Sequence, residues 1–176
     1  MAALPRILSP ADLPLAELSA ARLDGELFAC GRGWAPPDVP GTREDRALAA
    51  AVGLPRRWVA ELGTAAWVWG AGLVAEDPVR FCVPSDARGP RARPGVVLRE
   101  RALGPGDWRD LGGVRVTTPV RTLLDLLRSP AEPDEQLAAG MLELVALEDR
   151  GDLESRMRRL PDGRRARERL RRISRR

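Results

Sequence analysis

The chain contains no histidine, no tyrosine and no lysine, and all 29 of its basic residues are arginine. Without histidine, the sequence excludes Ser-His-Asp and Cys-His catalytic arrangements and any general base built on imidazole. Without lysine, it excludes Schiff-base chemistry, the phosphate-binding lysine of a P-loop and the lysine of a typical restriction-type nuclease core. We therefore expect a protein that is not an enzyme.

Cysteines and long hydrophobic runs are also scarce. Cys30 and Cys82 are the only two cysteines. They lack a Cys-x-x-Cys pattern, which predicts free thiols and neither a metal site nor another cofactor. No apolar run approaches the ~20 residues that span a bilayer. The N-terminal stretch MAALPRILSPADLP lacks the apolar segment of a signal peptide. We expect a cytoplasmic protein without a membrane partner.

The formal net charge of +4 is unevenly distributed along the chain. Residues 151–176 contain 11 arginines and four acidic residues, whereas the preceding 150 residues are slightly acidic. Helical spacing places Arg164, Arg167 and Arg171 on one side of this basic segment. Such a side is able to neutralise phosphates of a nucleic acid, and we favour a nucleic-acid contact as the role of this segment. A clamp on an acidic partner and a merely solubilising end stay open as alternatives.

Local patterns predict an α+β fold with three parts. The pattern of residues 1–37 predicts a truncated winged helix-turn-helix, which has one helix fewer than the usual fold. Ser9 is expected to cap a helix starting at SPAD, a second helix in LAELSAARLDG is expected to end at Gly25, and two strands flank Gly31-Arg32-Gly33. A linker at Pro36–Gly41 leads to a small mixed α/β domain over 38–150, and 151–176 forms a helical basic tail.

The middle part shows alternating strand and helix signals. A helix is expected to start at Thr42 and to end at Gly53, and Thr64 is expected to cap the short helix AAWVWG. Strands are expected over 79–84, 96–100 and 114–116, with a turn-rich connection over 104–113. PDEQLAAGMLELVALEDRG is expected to form one amphipathic helix. All five tryptophans are expected to be mostly core anchors: Trp34, Trp58, Trp67, Trp69 and Trp108.

The stretch GGVRVTTPVRTLLDLLRS, residues 112–129, predicts a strand followed directly by a helix. Thr118 is a good N-cap and Pro119 suits the first helical position, where its missing N–H costs nothing. An apolar stripe follows, made of Val120, Leu123, Leu124 and Leu127. Arg121 and Asp125 lie four residues apart and are expected to pair. Because a cation in the first turn opposes the helix dipole, we also expect Arg121 to contact backbone carbonyls or an acid elsewhere.

Four of these segments occur in an order that is similar to a known family. They are TAAWVWG (64–70), VRFCVP (79–84), RPGVVLRE (93–100) and GGVRVTTPVRTLLDLL (112–127). Together they resemble the AbiEi-type antitoxin family of type IV toxin–antitoxin systems, as found in actinobacterial genomes. The resemblance covers roughly residues 5–150. It implies an N-terminal winged helix-turn-helix that represses its own operon and a second domain that counters a nucleotidyltransferase toxin encoded beside it.

On this resemblance, operator DNA and the toxin are the expected partners. The candidate DNA contacts are Arg22, Arg32 at the tip of the wing, the loop residues Arg88, Arg91 and Arg93, and Arg164, Arg167 and Arg171 of the tail. Arg80 and Arg99 are expected on exposed strand faces beside the loop. Residues 1–30, however, contain two arginines and four acids. The alternative is therefore a protein-interaction module of the same family that has lost DNA binding.

Overall fold

The computed structural model describes residues 5–38, 41–85, 93–129, 135–145, 147–160 and 163–175. The helices are α1 (Leu15–Leu23), α2 (Arg43–Ala50), α3 (Leu62–Trp69), α4 (Pro119–Arg128), α5 (Glu135–Leu144), α6 (Leu147–Arg159) and α7 (Gly163–Ile173). The strands are β1 (Phe28–Cys30), β2 (Gly33–Ala35), β3 (Val59–Ala60), β4 (Val79–Pro84), β5 (Val96–Arg101), β6 (Trp108–Leu111) and β7 (Val114–Thr117). This mixture of helices and sheets is compatible with the expected α+β class.

A five-stranded mixed sheet has the order β5-β4-β3-β7-β6. Its central strand β3 pairs antiparallel with β4 and parallel with β7, and β4 pairs parallel with β5. The expected strands β4, β5 and β7 are confirmed. Strands β3 and β6 were not expected, since β3 is two residues long and β6 lies in the segment predicted as a turn-rich connection.

Helices α3 and α4 pack against each other and carry much of the hydrophobic core. The apolar stripe of α4 is buried throughout, as expected. Trp58, Trp67 and Trp69 are buried core anchors, whereas Trp34 and Trp108 are half-buried. The indole N–H of Trp69 donates to the carbonyl of Thr117 at 2.7 Å. This bond ties α3 to the end of β7, directly before α4 begins.

The N-terminal residues only partly follow the expectation. Ser9 does not begin a helix; its N–H and hydroxyl donate to the Asp12 carboxylate in a turn, and α1 begins after Pro14. Proline at position 14 disfavours helical backbone at the residue before it, which separates the turn from the helix. Gly25 has φ +78° and ends α1 as predicted, and β1 and β2 form the expected hairpin. Residues 5–38 thus contain one helix and one hairpin, and the winged helix-turn-helix is not confirmed.

The two predicted caps of the middle part have different outcomes. Thr42 caps α2 through a reciprocal capping box with Asp45, as expected. The prediction for Thr64 is wrong, because α3 begins at Leu62 with Glu61 in the N-cap position. The Thr64 hydroxyl instead accepts the N–H of Arg80 at 2.7 Å. Thr64 therefore joins α3 to the adjacent strand β4.

The segment predicted as one helix over PDEQLAAGMLELVALEDRG forms parts of two helices, α5 and α6. Met141 of α5 and Met157 of α6 are both buried in the core. In one straight helix these side chains would point about 160° apart, so that only one would face the core. Ala166 and Ile173 of α7 join the same core, which therefore continues past the boundary predicted at residue 150.

Candidate functional site

The joint between β7 and α4 is the centre of a network of ion pairs that begins at the buried Asp125. The Thr118 hydroxyl accepts the N–H of Arg121 at 3.4 Å, and Pro119 occupies the first turn of α4. Arg121 Nε donates to Asp125 Oδ2 at 2.8 Å, so the expected pair is present. Its Nη1 and Nη2 also donate to the carbonyl of Ala102. Arg121 also forms an ion pair with Asp107. It thus contacts both a backbone carbonyl and a distant acid, the two kinds of partner expected because a cation in the first turn opposes the helix dipole.

Asp107 is the residue on which this network converges. One carboxylate oxygen accepts from Arg121 at 2.5 Å and from the N–H of Gly104 at 2.8 Å, and the other accepts from Arg156 at 2.6 Å. Burial works to raise the pKa of Asp107, but the Gly104 hydrogen bond and the two guanidinium groups outweigh it, so the pKa is lowered. The carboxylate is therefore held ionised as the meeting point of two arginines.

Arg156 extends the network to the exposed surface of α6. Its Nε donates to Asp152 at 2.8 Å, which gives a chain of alternating charges from Asp125 through Arg121, Asp107 and Arg156 to Asp152. Each of the three carboxylates is bound to at least one guanidinium. This arrangement braces α4 against α6 and the β5–β6 connection, and it provides no activated nucleophile or proton acceptor.

Another buried carboxylate, outside this network, lies at the start of α3. Glu61 is 1% exposed, and its Oε2 accepts from Arg101 Nε at 3.1 Å, while Oε1 has no partner among the described residues. Burial raises the pKa of Glu61, and the nearby Arg101 opposes this. The next residue, Leu62, has φ +51°, which is strained for a side chain other than glycine.

A polar cleft of about 300 Å³ lies beside Leu62. Three arginines line it, Arg99, Arg101 and Arg128, together with Glu100 and Asp125. The charges in this lining nearly balance, which favours neither an anion nor a cation. Glu61 was missed at the sequence level, although an acid within the apolar stretch WVAELG is a signal that could have found it.

The two candidate DNA contacts of the N-terminal unit, Arg22 and Arg32, differ in their exposure. Arg22 is exposed in the last turn of α1, where Glu17 and Asp24 are on the same helix or next to it. Arg32 is half-buried and donates to the carbonyls of Val52 and Pro94 at 3.2 and 3.3 Å. The guanidinium at the tip of the hairpin is thus directed toward the rest of the chain.

The arginines of the loop are only partly covered by the structure. Arg93 is exposed, whereas Arg88 and Arg91 lie outside the described residues. Of the strand residues beside the loop, Arg80 pairs with Glu76 and Arg99 is exposed. Arg80, Arg93 and Arg99 are therefore the members of this set that the structure places.

The basic segment 151–176 divides into buried and exposed arginines. Arg164, Arg167 and Arg171 are exposed on the side of α7 that faces away from the core, together with Arg175. Arg169 is 8% exposed and donates to the carbonyls of Leu127 and Ser129 at 2.9 and 2.7 Å. Arg156 and Arg169 therefore stabilise the fold. The remaining arginines of this segment supply most of its surface charge.

Comparison with protein families shows to which family the chain belongs. Residues 58–174 match the model of the AbiEi antitoxin C-terminal domain. The chain belongs to the AbiEi antitoxin family. The matched residues include the Glu61 site, the joint at residues 112–128 and the helices α6 and α7. No curated protein matches the chain.

Membership of the AbiEi family indicates an antitoxin role in a toxin–antitoxin system, and it implies a toxin as partner. AbiEi antitoxins are not generally enzymes. Within the described residues, no group of three or more acidic or cysteine side chains is placed to hold a metal ion. No helix among these residues is long and apolar enough to cross a membrane.

Proposed function

We propose that the chain is an antitoxin that binds operator DNA, represses its own operon and counters a nucleotidyltransferase toxin encoded beside it. The family match over residues 58–174 carries the antitoxin part of this proposal. The DNA-binding part rests on the arginine face, which we define as Arg164, Arg167 and Arg171 of α7 together with Arg175 just beyond the end of this helix. All four side chains are exposed.

Helix geometry makes the arginine face suitable for a phosphate backbone. Arg164, Arg167 and Arg171 follow an i, i+3, i+7 spacing, so that they span about 10 Å along one side of α7, and Arg175 comes two residues after the helix ends. The opposite side of the helix is fixed on the core by Ala166 and Ile173. Arg164 pairs with Glu168, but both side chains are largely exposed, so this pair is readily exchanged for a phosphate. The face therefore presents several cations from a rigid support.

The surroundings of the N-terminal candidates favour this face over the hairpin. Arg32 already donates to two carbonyls, and Arg22 lies on a helix that also carries Glu17 and ends at Asp24, whose negative charges repel phosphates. The loop residues Arg88, Arg91 and Arg93 remain candidates for additional contacts. We propose that the arginine face supplies the main electrostatic contact and that the N-terminal unit contributes less.

A gel-shift titration on the promoter of the protein's own operon tests DNA binding. The variant R164A/R171A removes two charges from the arginine face, and R57A/R109A removes two exposed charges elsewhere. We expect the face variant to bind more weakly and to lower the salt-dependence slope by about 2. The control variant is expected to keep the slope of the unchanged protein. Equal slopes for both variants would remove the arginine face from the proposal.

Antitoxin activity is tested separately by co-expression with the product of the neighbouring reading frame. If that product is a nucleotidyltransferase toxin, we expect growth to be restored by the full chain and by R57A/R109A. Growth restored by R164A/R171A as well would assign the arginine face to DNA alone. Failure of the unchanged chain to restore growth would contradict the pairing with this toxin.

A second candidate function is a protein-interaction module without a DNA role. The acidic surface of α1 favours it, since Glu17 and Asp24 are exposed there. In this case the arginine face would contact an acidic surface of the toxin. Loss of growth rescue by R164A/R171A, combined with the absence of a specific gel shift for the unchanged chain, would support this candidate over the repressor.

A further inference from the structure

A second cavity, with a volume of about 300 Å³, lies away from the charge network. Residues 5–9 form one side of it, the end of α2 and the following loop form another, and the turn between β6 and β7 completes it. Its volume is at the lower end of the range for small-molecule sites. Nothing in the antitoxin role described above uses this cavity.

The lining of the cavity is mostly apolar, and one of the lining residues carries a buried hydrogen-bond donor without a partner among the described residues. Leu48, Val52 and Leu54 contribute apolar surface, and Leu48 is 40% exposed. Trp58 also lines the cavity and is 2% exposed. Its indole N–H has no hydrogen-bond partner among the described residues. A buried N–H donor without an acceptor is costly, and an acceptor supplied by a bound molecule is one way in which this cost is removed.

Charge around the cavity has one sign. Arg6 and Arg56 line it, and no acidic residue does. Arg6 is bound to Asp45 at 3.1 Å, which neutralises part of its charge. Arg56 is exposed and has no ion-pair partner among the described residues. A guanidinium and an indole N–H both donate hydrogen bonds, so the complementary group is an oxyanion.

We propose that this cavity is a binding site for a small carboxylic acid with an apolar body. The apolar body lies against Leu48, Val52 and Leu54, and the carboxylate accepts hydrogen bonds from the Trp58 indole and from Arg56. Because residues 5–9 and the β6–β7 turn line the same cavity, such a ligand contacts both the N-terminal unit and the sheet. The proposal is independent of the DNA-binding and toxin-binding roles.

Indole N–H signals in ¹H–¹⁵N spectra of the full-length protein test the proposal. Octanoate is the probe, acetate supplies the carboxylate without the apolar body, and 1-octanol supplies the body without the carboxylate. We expect octanoate to move the Trp58 signal downfield in a saturable manner, and the two controls to leave it in place. The Trp58 signal is assigned from the W58F variant, or from triple-resonance spectra if that variant does not fold.

Arg56 and Arg57 offer a matched pair of variants, because both are exposed but only Arg56 lines the cavity. We expect R56A to raise the dissociation constant of octanoate about tenfold, as the loss of one charge-assisted hydrogen bond does. R57A is expected to leave it unchanged. The proposal is overturned if the Trp58 signal does not respond, if 1-octanol moves it equally far, or if both variants weaken binding alike.

Discussion

Asp107 and Arg156 are separated by 49 positions in the sequence, yet their side chains form a hydrogen bond of 2.6 Å. The same Asp107 carboxylate binds Arg121 at the start of α4. One aspartate therefore connects the joint to α6, most of which lies in the segment predicted as a basic tail. The stability of the C-terminal helices and that of the joint are coupled through this carboxylate.

Replacing Asp107 by asparagine is expected to lower the free energy of unfolding by about 2–3 kcal/mol. The variant removes the negative charge that compensates two arginines, and one of them, Arg121, has a side chain only 15% exposed. Urea denaturation monitored by circular dichroism measures the change. E154Q is the control, because Glu154 is exposed and its ion-pair partner Arg158 is exposed as well. A loss in D107N no larger than in this control would contradict the role of Asp107.

The stabilising effect of Asp107 is expected to depend on pH in a defined direction. Burial alone would raise the pKa of Asp107, but hydrogen bonds and the two arginines lower it below the unfolded value of about 3.9. A lowered pKa contributes stability that is present above the unfolded pKa and is lost as the pH falls through the folded pKa. The difference in unfolding free energy between the unchanged protein and D107N should be constant from pH 7 to pH 5 and should shrink below pH 4. A difference that grows on acidification would contradict this assignment.

Glu61 is expected to show the opposite behaviour. Burial raises its pKa, so its contribution to stability is present below the unfolded pKa of about 4.3 and is lost as the pH rises through the folded pKa. The variant E61Q cannot ionise, and its stability relative to the unchanged protein should therefore increase between pH 4 and pH 8. Thermal unfolding at several pH values measures this trend. E100Q, at an exposed position on β5, is the control variant.

Arg169 is expected to stabilise the end of α4, where it donates to two carbonyls. R169A should lower the free energy of unfolding by about 2 kcal/mol, since it leaves these acceptors without their charged donor. R165A is the matched control, because Arg165 lies on the same helix and is exposed. R169K should lose less than R169A, as it keeps the charge but not the forked geometry. Equal stability of R169A and R165A in urea would show that the carbonyls need no donor from α7.

The parts of the fold with strong local signals were predictable from the sequence. Thr118, Pro119 and the leucine stripe specify α4 through contacts within a few residues, and Thr42 with Asp45 specifies the start of α2. The pairing of Arg121 with Asp125 also follows from helical spacing. These features depend on neighbours in the chain, which a single sequence displays directly.

Features that depend on distant partners were not predictable in the same way. Threonine is a common helix N-cap residue, but the hydroxyl of Thr64 accepts a hydrogen bond from the N–H of Arg80 on β4. Arg169 appears in the sequence as one more surface arginine, and only the packing of α7 on α4 buries it. Asp107 lies in a glycine-rich stretch that suggests a turn, and its two arginines come from later helices.

The two-residue strand β3 has consequences for the order in which the chain folds. Its neighbours in the sheet are β4, which follows closely in sequence, and β7, where Val59 pairs with Arg115. The hairpin of β6 and β7 closes locally, whereas joining it to β3 requires a long loop to form first. Attachment of this preformed hairpin to β3 is therefore expected to be the slow step of folding. The substitution Val59→Ala is expected to lower the refolding rate more than a matched substitution in the β1–β2 hairpin does.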